Sequence, residues 1–480
     1  MGDTSRHASE PHQPGPPEPA PGNGRAGRDT HDHAWEDDLE PRHLINRCDA
    51  IVRVGAAMLA SGTGCRRVDE TISQVAHALD IDEVHTRISL TDLAVTVRQR
   101  SIIRTQLTAI PNPGVNADQI AALQRWAAGL PAHMTVQEVN DGLDEVLRRP
   151  KQWPAWAAPV GAGIACAAFA FLNNVRPAEL GAVFAAAALG QTLRRALHHR
   201  HLNQIALAFL ASVVACGGYL AASGALGELT STSPAASGTG LVSSILFLVP
   251  GFPLMTAALD LARLDLLSGI TRMVYAAMLT FAAGLGLWFT TSIIPVDAQA
   301  AALVELDATV LLALQAVASF VGVFGFAMVF NSPQRVAVVA GLMGMLANPI
   351  RILLIDHHAM AASNAAAIGT LLIGLLAFVA ERYGGLPRII LSVPTVVIMV
   401  PGVAAFRALV AFDDGEILDA VDSGMAAITI AIGMAVGLIA ARMLTDPRWS
   451  FSTPNPPSYS AAVRKLRPYR RRSRNGRREG

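Results

Sequence analysis

The sequence predicts a polytopic α-helical membrane protein, with ten transmembrane helices in two inverted five-helix repeats and an α+β domain before them. Three observations predict this fold. Hydrophobic residues make up 52% of the 480 residues and charged residues only 16%, whereas soluble domains carry about 25% charged residues. Ten apolar runs follow Trp153. The dipeptides Pro250-Gly251 and Pro401-Gly402 interrupt two of these runs in corresponding places.

The N-terminal tail, residues 1–43, is rich in proline, glycine, histidine and acidic residues, and we expect it to be disordered. It lacks the apolar core of a signal peptide. Residues 44–150 form a predicted α+β domain, because helical spacing and strict alternation both occur there. Its expected helices cover residues 44–60, 66–79, 117–129 and 135–148.

Alternating residues between the second and third of these helices predict three β-strands. The alternating sets are Val84, Thr86 and Ile88; Leu93, Val95 and Val97; and Ile103, Thr105 and Leu107. Thr135 followed by Glu138 predicts a capping box at the start of the last helix of the domain.

The ten apolar runs are each long enough to cross a bilayer core. They lie near residues 155–172, 177–197, 203–223, 240–259, 270–292, 308–330, 334–354, 362–380, 389–411 and 423–443. Five fall in a first half, residues 151–295, and five in a second half, residues 305–445. Because five is odd, the second half must enter the membrane from the opposite side, which predicts an inverted repeat.

The two proline-glycine pairs lie in the fourth run of each half, 151 positions apart, and a valine precedes each. Proline removes a backbone donor and glycine adds conformational freedom. Broken backbone survives in lipid only where protein or a water-filled cavity satisfies it. Matched breaks in two repeats therefore predict a transporter with its site between them.

The arginines of the loops give the orientation. Most lie on one side of the predicted membrane, together with the basic tail of residues 446–480. The opposite side holds an acidic loop that includes Asp413 and Glu416. Because the positive side is cytoplasmic, we expect both termini and the α+β domain inside, in a multi-pass plasma (inner) membrane protein. The basic tail is expected on anionic membrane lipid, and nothing calls for nucleic-acid binding.

Motifs for other classes are missing. The only lysines, Lys151 and Lys465, follow no glycine-rich phosphate loop, and the four cysteines form no CxxC pair. We therefore expect no cofactor, no metal site and no ATPase. Coupling to an ion gradient or passive flux remains. An alternative is a membrane-anchored sensor or enzyme, whose site would come from Ser61, Asp69, Glu70, His77 and His85, although these residues form no catalytic triad.

Intramembrane charge is costly and therefore marks candidate functional residues. Asp260 ends the fourth run, Asp265 follows in the loop, and Arg272 opens the fifth run and could pair with either acid. We predict that these three residues carry coupling, and that Asp260 also contacts substrate. The alternative for Asp265 and Arg272 is an interfacial charge that sets topology.

The remaining candidates surround the breaks. We predict a substrate site formed by Pro250, Gly251, Asp260, Gln315, Asn348, Pro401, Gly402 and Arg407. Arg407 could meet a substrate carboxylate or extend to the membrane surface. Gln315 and Asn348 could face the substrate or bond between helices.

Four stretches resemble the bacterial threonine/serine exporter family in its fused, single-chain form. They are Leu59 to Thr71 (LASGTGCRRVDET), Leu248 to Asp260 (LVPGFPLMTAALD), Phe330 to Arg335 (FNSPQR) and Val400 to Gly402 (VPG). The first two are the more specific, and the resemblance covers about residues 44–445. It implies an inner-membrane exporter of L-threonine and L-serine driven by the proton gradient. Split relatives of the same superfamily imply dicarboxylate (succinate-type) export as the alternative. The sequence leaves a homo-oligomer open.

Overall fold

The structure is a computed structural model and describes residues 42–110, 114–200, 202–230, 236–294, 307–356 and 360–447. The two predicted tails, residues 1–43 and 446–480, lie almost wholly outside these ranges. We call residues 42–149 the N-terminal segment.

Four helices and one sheet make up the N-terminal segment. The helices are α1 (Arg42–Ala60), α2 (Cys65–Ala78), α3 (Ala117–Ala128) and α4 (Val136–Leu147). The strands β1 (Glu83–Ile88), β2 (Asp92–Gln99) and β3 (Ile102–Ala109) form an antiparallel sheet in the order β1-β2-β3. The predicted capping box is confirmed: Thr135 Oγ accepts from Glu138 N, and Thr135 N donates to Glu138 Oε2.

The sheet buries one face. Leu93, Val95 and Val97 of β2 are fully buried, as alternation predicts. In β3 the apolar set lies on the other face, with Ile103 64% and Leu107 71% exposed. The register explains this, because Ile103 pairs with Arg98 and Leu107 with Ala94, the outward residues of β2.

Helices dominate the rest of the chain. The first half contains α5 (Ala157–Leu172), α6 (Leu180–His198), α7 (Gln204–Thr230), α8 (Gly238–Ser244), α9 (Gly251–Leu261) and α10 (Leu266–Ile293). The second half contains α11 (Ala308–Val329), α12 (Gln334–Asp356), α13 (Ala362–Gly384), α14 (Arg388–Val397), α15 (Gly402–Asp413) and α16 (Ile417–Thr445). Short 3₁₀ turns at Pro177–Glu179 and Leu246–Leu248 precede α6 and the first break.

Six of these helices are long and apolar enough to cross a membrane, namely α7, α10, α11, α12, α13 and α16. The pairs α8–α9 and α14–α15 meet the same criteria as bent units, which gives up to eight candidate spans. Of the other two predicted spans, α5 is apolar but has 16 residues. Helix α6 ends with Arg194, Arg195 and His198 in its last turns. The chain is therefore a multi-pass membrane protein, and eight of the ten predicted spans meet the criteria.

Helix packing follows the same plan in both halves. The first helix packs on the second, the second on the third, and the third on the last: α5–α6, α6–α7 and α7–α10 in one half, α11–α12, α12–α13 and α13–α16 in the other. The halves meet along α5 and α11. Their backbones approach so closely that a Cβ on Gly325 would lie 2.6 Å from Gly161 O.

Candidate functional site

The two breaks have the same local geometry. Pro250 has φ −79° and ψ 61°, and Pro401 has φ −78° and ψ 51°. In each case the glycine N–H donates to the carbonyl two residues earlier at 2.8 Å, from Gly251 to Val249 and from Gly402 to Val400. These values define an inverse γ-turn. The sequence Val-Pro-Gly thus forms the same tight turn twice and starts a new helix each time.

The turns bend the chain by different amounts. The axes of α8 and α9 differ by 68°, and those of α14 and α15 by 43°. Each broken pair packs on the other, with α9 against α14 and α8 against α15. A Cβ on Gly251 would lie 2.4 Å from Val397 Cγ2, whereas a Cβ on Gly402 would lie 3.5 Å from Val242 Cγ1. Only the first break therefore requires glycine for space.

Asp260, at the far end of α9, is 5% exposed. Ser268 Oγ donates to its Oδ2 at 3.1 Å, and the Nε of Arg272 lies 3.5 Å from the same oxygen. The pairing of Arg272 with one of the two acids is thereby confirmed. Arg272 is 3% exposed and donates from Nη2 to Thr63 O at 2.9 Å. The side chain of Asp265 is exposed, and its N–H donates to Asp260 O.

The Asp260–Arg272 pair lies against the loop between α1 and α2 of the N-terminal segment. A Cβ on Gly64 would lie 3.8 Å from Asp260 Oδ1. Cys65, at the start of α2, is buried beside the same carboxylate. Burial, with a further contribution from the charge of Asp260, raises the pKa of the Cys65 thiol to about 12. This thiol is therefore protonated and shielded at neutral pH.

The N-terminal segment also contacts the second half. The first N–H groups of α3, from Ala117 and Asp118, donate to Phe330 O and Asn331 O at 2.9 and 3.2 Å. Asn331 has φ 55° and donates from Nδ2 to Asn116 Oδ1 at 2.9 Å. Its Oδ1 accepts from Gln152 N at 3.1 Å. One segment thus contacts both halves at one end of the helices.

Gln315 and Asn348 lie on adjacent helices of the second half, and both are buried. Asn348 Nδ2 donates to Ser319 Oγ at 2.9 Å, and Ser319 Oγ donates to the backbone oxygen of Gln315 at 2.7 Å. Arg351 Nε donates to Asn348 Oδ1 at 2.9 Å. These hydrogen bonds connect α11 to α12. The site residues predicted from the sequence did not include Arg351, although its position three residues after Asn348 in a helix was a signal for it.

Arg407 lies on α15 with an exposed side chain. The structure does not place it with Asp260 and Arg272 or with Gln315 and Asn348. Its contact with substrate stays a prediction, as do the roles of the other predicted site residues.

Sequence reasoning missed a buried carboxylate, Glu179, which is 5% exposed before α6. It accepts from the hydroxyl of Tyr219 and from Ser237 Oγ, and it pairs with Arg176 Nε. These contacts join three elements at the start of α8. The available signal was an acid followed at once by an apolar run.

Two cavities adjoin α9, and Thr256 lines both. One, of about 220 Å³, reaches the first break at Pro250 and Gly251 and is lined by Arg194 and Arg272. The other, of about 310 Å³, lies between the N-terminal segment and both halves of the membrane helices. Within the described ranges, no group of three or more His, Cys, Asp or Glu side chains is placed to hold a metal ion.

Long apolar helices and two broken, mutually packed spans define a polytopic α-helical membrane protein of the transporter class. The chain belongs to the threonine/serine exporter family. Residues 49–294 match the family described as "Putative threonine/serine exporter", and residues 315–444 match the family described as "Threonine/Serine exporter, ThrE". Among its relatives is a "Probable threonine/serine exporter" of Mycobacterium tuberculosis, 26% identical over 444 residues, or 86% of this chain and 79% of that protein.

Two further relatives cover about half of this chain. The "Probable succinate transporter subunit YjjP" of Escherichia coli is 27% identical over 49% of this chain and 90% of its own length. The protein of that name from Klebsiella aerogenes is 26% identical over 52% of this chain and 93% of its own length. No solved structure matches the chain.

Proposed function

We propose that this membrane protein exports L-threonine and L-serine from the cytoplasm and is driven by the proton gradient. The single observation that carries the proposal is the matched pair of Val-Pro-Gly turns, each packed on the other's broken span. Broken spans at a repeat interface are the usual substrate sites of secondary transporters. The Mycobacterium tuberculosis relative named a probable threonine/serine exporter supports the substrate class.

The proposal includes ten spans in two inverted repeats. It counts α5 and α6 as the first two, although α5 is short and α6 ends in arginines. The corresponding helix contacts in the two halves support this arrangement. So does the equal backbone geometry at Pro250 and Pro401.

In the proposed orientation both termini and the N-terminal segment lie in the cytoplasm, and the arginine-rich loops support it. Reporter fusions near Ser233 and near Glu416 should read outside, and a fusion near Arg200 should read inside. A fusion near Ser233 that reads inside would contradict the inverted repeat.

The substrate groups have chemical counterparts along the two broken spans. Helices α9 and α15 both begin at a proline break, and the N–H groups and positive dipole of a helix N-terminus suit a carboxylate. Gln315 and Asn348 supply polar groups in the second half, and Arg407 remains the proposed cationic contact. The substrate ammonium would need an acid, and Asp260 is the buried acid on α9.

Coupling is proposed at Asp260. A neutral carboxyl would no longer attract Arg272, so protonation would loosen the contact between Arg272 and Thr63. Protonation would thereby weaken the contact between the N-terminal segment and the first half. Asp265 and Arg263 add further charge at the same end of α9, and we include Asp265 in the coupling group.

Proteoliposomes that contain the purified protein test the function directly. We expect uptake of labelled threonine and serine into inside-out vesicles, with a rate that rises when a proton gradient is imposed. Succinate is the matched alternative, because the YjjP relatives are named for it. Gradient-driven succinate flux without threonine flux would replace the proposed substrate class.

A second test separates the transporter from an enzyme or sensor. If the N-terminal segment were catalytic, the full-length protein would turn over a substrate without membrane flux. We would assay the full-length protein in detergent for hydrolysis of threonine and serine peptides. Its rate should not exceed that of a variant in which the polar residues Asp69 and Glu70 are replaced.

A further inference from the structure

A third cavity, of about 290 Å³, lies at one end of the membrane helices. Gln204, the first residue of α7, and Val329, the last residue of α11, both line it. Both residues are ends of candidate membrane spans. Because the ends of a span lie near the membrane surface, the rim of this cavity lies at the level of the lipid headgroups.

One face of α6 supplies most of the polar groups of this cavity. Four residues recur there at helical spacing and therefore lie on the same side of the helix: Gln191, Arg194, Arg195 and His198. Lys151 and His199 add basic groups at the exposed rim. Within the described ranges, no acidic residue lines the cavity. Its charge is therefore positive.

This positive charge has no acidic partner in the described part of the chain. Arg194, Arg195 and Lys151 form no ion pair with a described carboxylate. The titratable group that acts on Arg194 is Tyr275, whose hydroxyl is neutral at pH 7. Arg194 is half-buried. A partly desolvated guanidinium favours an anionic ligand, because an anion supplies the counter-charge.

The amide of Gln191 is an unpaired acceptor in the same wall. Its side chain is 5% exposed, and its Oε1 is buried with no hydrogen-bond partner among the described residues. Gln191 lines both this cavity and the one that reaches the first break. Arginines that only set topology or interact with a helix end need no buried amide beside them. The wall thus combines cations for an anion with an acceptor for a hydroxyl.

The floor of the cavity is apolar. It is formed by three buried leucines, Leu207, Leu248 and Leu279. A basic rim at the membrane surface above an apolar floor suits an amphiphile, and basic pockets between membrane helices bind anionic lipid headgroups.

We propose that this cavity binds a glycerophosphate group, which is a phosphate joined to a glycerol with a free hydroxyl. Arg194 and Arg195 bind the phosphate oxygens, since planar guanidinium groups pair with phosphate in bidentate geometry. A glycerol hydroxyl donates to Oε1 of Gln191. Both phosphatidylglycerol and free glycerol 3-phosphate carry this group, and the apolar floor favours the lipid.

A thermal-shift titration of the full-length protein in detergent, at constant ionic strength, tests the proposal. The lipid probes are short-chain phosphatidylglycerol, phosphatidylethanol and phosphatidylcholine. Phosphatidylglycerol should raise the melting temperature in a saturable way, because a ligand that binds only the folded state stabilises it. Phosphatidylethanol has the same charge without the hydroxyls and should bind more weakly. Phosphatidylcholine has no net charge, and an equal shift with this lipid would overturn the proposal.

Arg194→Gln should weaken the apparent affinity for phosphatidylglycerol at least about tenfold, the loss of one charge-assisted hydrogen bond. Arg200→Gln is the matched control. It removes the same charge just after α6, but Arg200 is exposed and outside the cavity wall. Its titration should equal that of the wild type. If Arg194→Gln does not fold, Arg195→Gln takes its place. Equal affinities in the cavity variant and the control would overturn the site.

Gln191→Leu tests the hydroxyl contact. The substitution replaces an unpaired buried amide by an apolar side chain of similar size, so folding should be retained. Affinity for phosphatidylglycerol should fall about two- to tenfold, to that of phosphatidylethanol, as the loss of one neutral hydrogen bond requires. An amide satisfied by water alone predicts an unchanged preference for phosphatidylglycerol, and that result would overturn the glycerol assignment.

Glycerol 3-phosphate separates the two sources of the group. A saturable shift with this compound, lost in Arg194→Gln, would support the proposal with a soluble ligand, and a shift with phosphatidylglycerol alone would support it with the lipid. No saturable shift with either would overturn it. The proposed export function is separate, because failure of threonine flux in proteoliposomes would remove that function and leave these titrations unchanged.

Discussion

The two breaks share one local turn but have different surroundings, and the comparison shows what a short sequence can and cannot encode. Val-Pro-Gly gives the same γ-turn in both halves, because proline fixes φ near the value that the turn needs. After the first break, α9 leads to the buried acid Asp260 and the N-terminal segment. After the second, α15 leads to the exposed Arg407 and Asp413.

The difference lies in long-range packing. The first break is tight against Val397, and its helix ends in an ion pair covered by Thr63 and Cys65. The second break has room around Gly402. Because the N-terminal segment occurs once, it breaks the equivalence of the two halves, and we expect substitutions at the first break to have larger effects than the same substitutions at the second.

The largest effect is expected at Asp260. Asp260→Asn leaves the guanidinium of Arg272 buried without its carboxylate, which costs about 3–5 kcal/mol when one partner of a buried pair is removed. Proton-driven export should be lost. In a variant that keeps Cys65 as its only cysteine, maleimide should label that residue faster, because the raised pKa and burial of its thiol depend on docking.

A double variant is the control for Asp260. Asp260→Asn with Arg272→Gln removes both charges, so stability should partly return, as the coupling between contacting residues requires. Export that still follows the pH gradient in Asp260→Asn would remove Asp260 from the coupling role. No counterpart exists at the corresponding position of the second half, which is Ala411.

The next effect is expected at Gly251. Gly251→Ala places a methyl group 2.4 Å from Cγ2 of a buried, β-branched valine, and overpacking of this kind costs about 1–3 kcal/mol. Thermal stability and threonine flux should both fall. Val397→Ala in the same chain should restore part of the stability by making room. Unchanged flux in Gly251→Ala would show that the contact between the broken spans is not needed for transport.

A substitution at Asn331, where the N-terminal segment contacts the second half, should have a smaller effect on stability. Asn331→Ala removes the side-chain bonds to Asn116 and Gln152 and leaves alanine at φ 55°, which costs about 1–2 kcal/mol. Asn331→Gly relieves the backbone strain but not the lost bonds, so its melting temperature should lie between those of Asn331→Ala and the wild type. Equal melting temperatures for the two variants would show that φ contributes nothing.

Much of this fold was accessible from the sequence because it depends on local pattern. Runs of apolar residues predicted the helix ends to within seven residues, and Thr135 with Glu138 predicted a capping box that forms with both bonds. Alternation gave the strand β3 but not its buried face, because that face depends on the register of Ile103 opposite Arg98.

The rest of the site depends on contacts between distant parts of the chain, for which one sequence has no signal. The bond from Arg272 to Thr63 joins residues 209 positions apart. The contact between Gly251 and Val397 joins two helices from different halves. The sequence shows Glu179 only as an acid before an apolar run and does not predict its contacts with Tyr219 and Ser237. The sequence therefore predicted that Arg272 could pair with Asp260. It did not predict the contacts of this pair with Ser268 and Thr63.

The smallest effect is expected at Gly402, the counterpart of Gly251. A Cβ there would meet Val242 at 3.5 Å and Phe169 at 3.8 Å, which is ordinary van der Waals contact, and φ at Gly402 is not positive. Alanine in a compatible conformation stabilises a chain by about 0.4–1 kcal/mol, because the unfolded state loses freedom. Gly402→Ala should therefore melt at the same temperature as the wild type or slightly higher, with threonine flux within about fivefold, since an energy change of at most about 1 kcal/mol shifts an equilibrium by about fivefold. Flux lost at full stability would mean that α15 moves about Gly402 during transport, and the second break would then be the hinge while the first, held by Val397 and Asp260, is the fixed side.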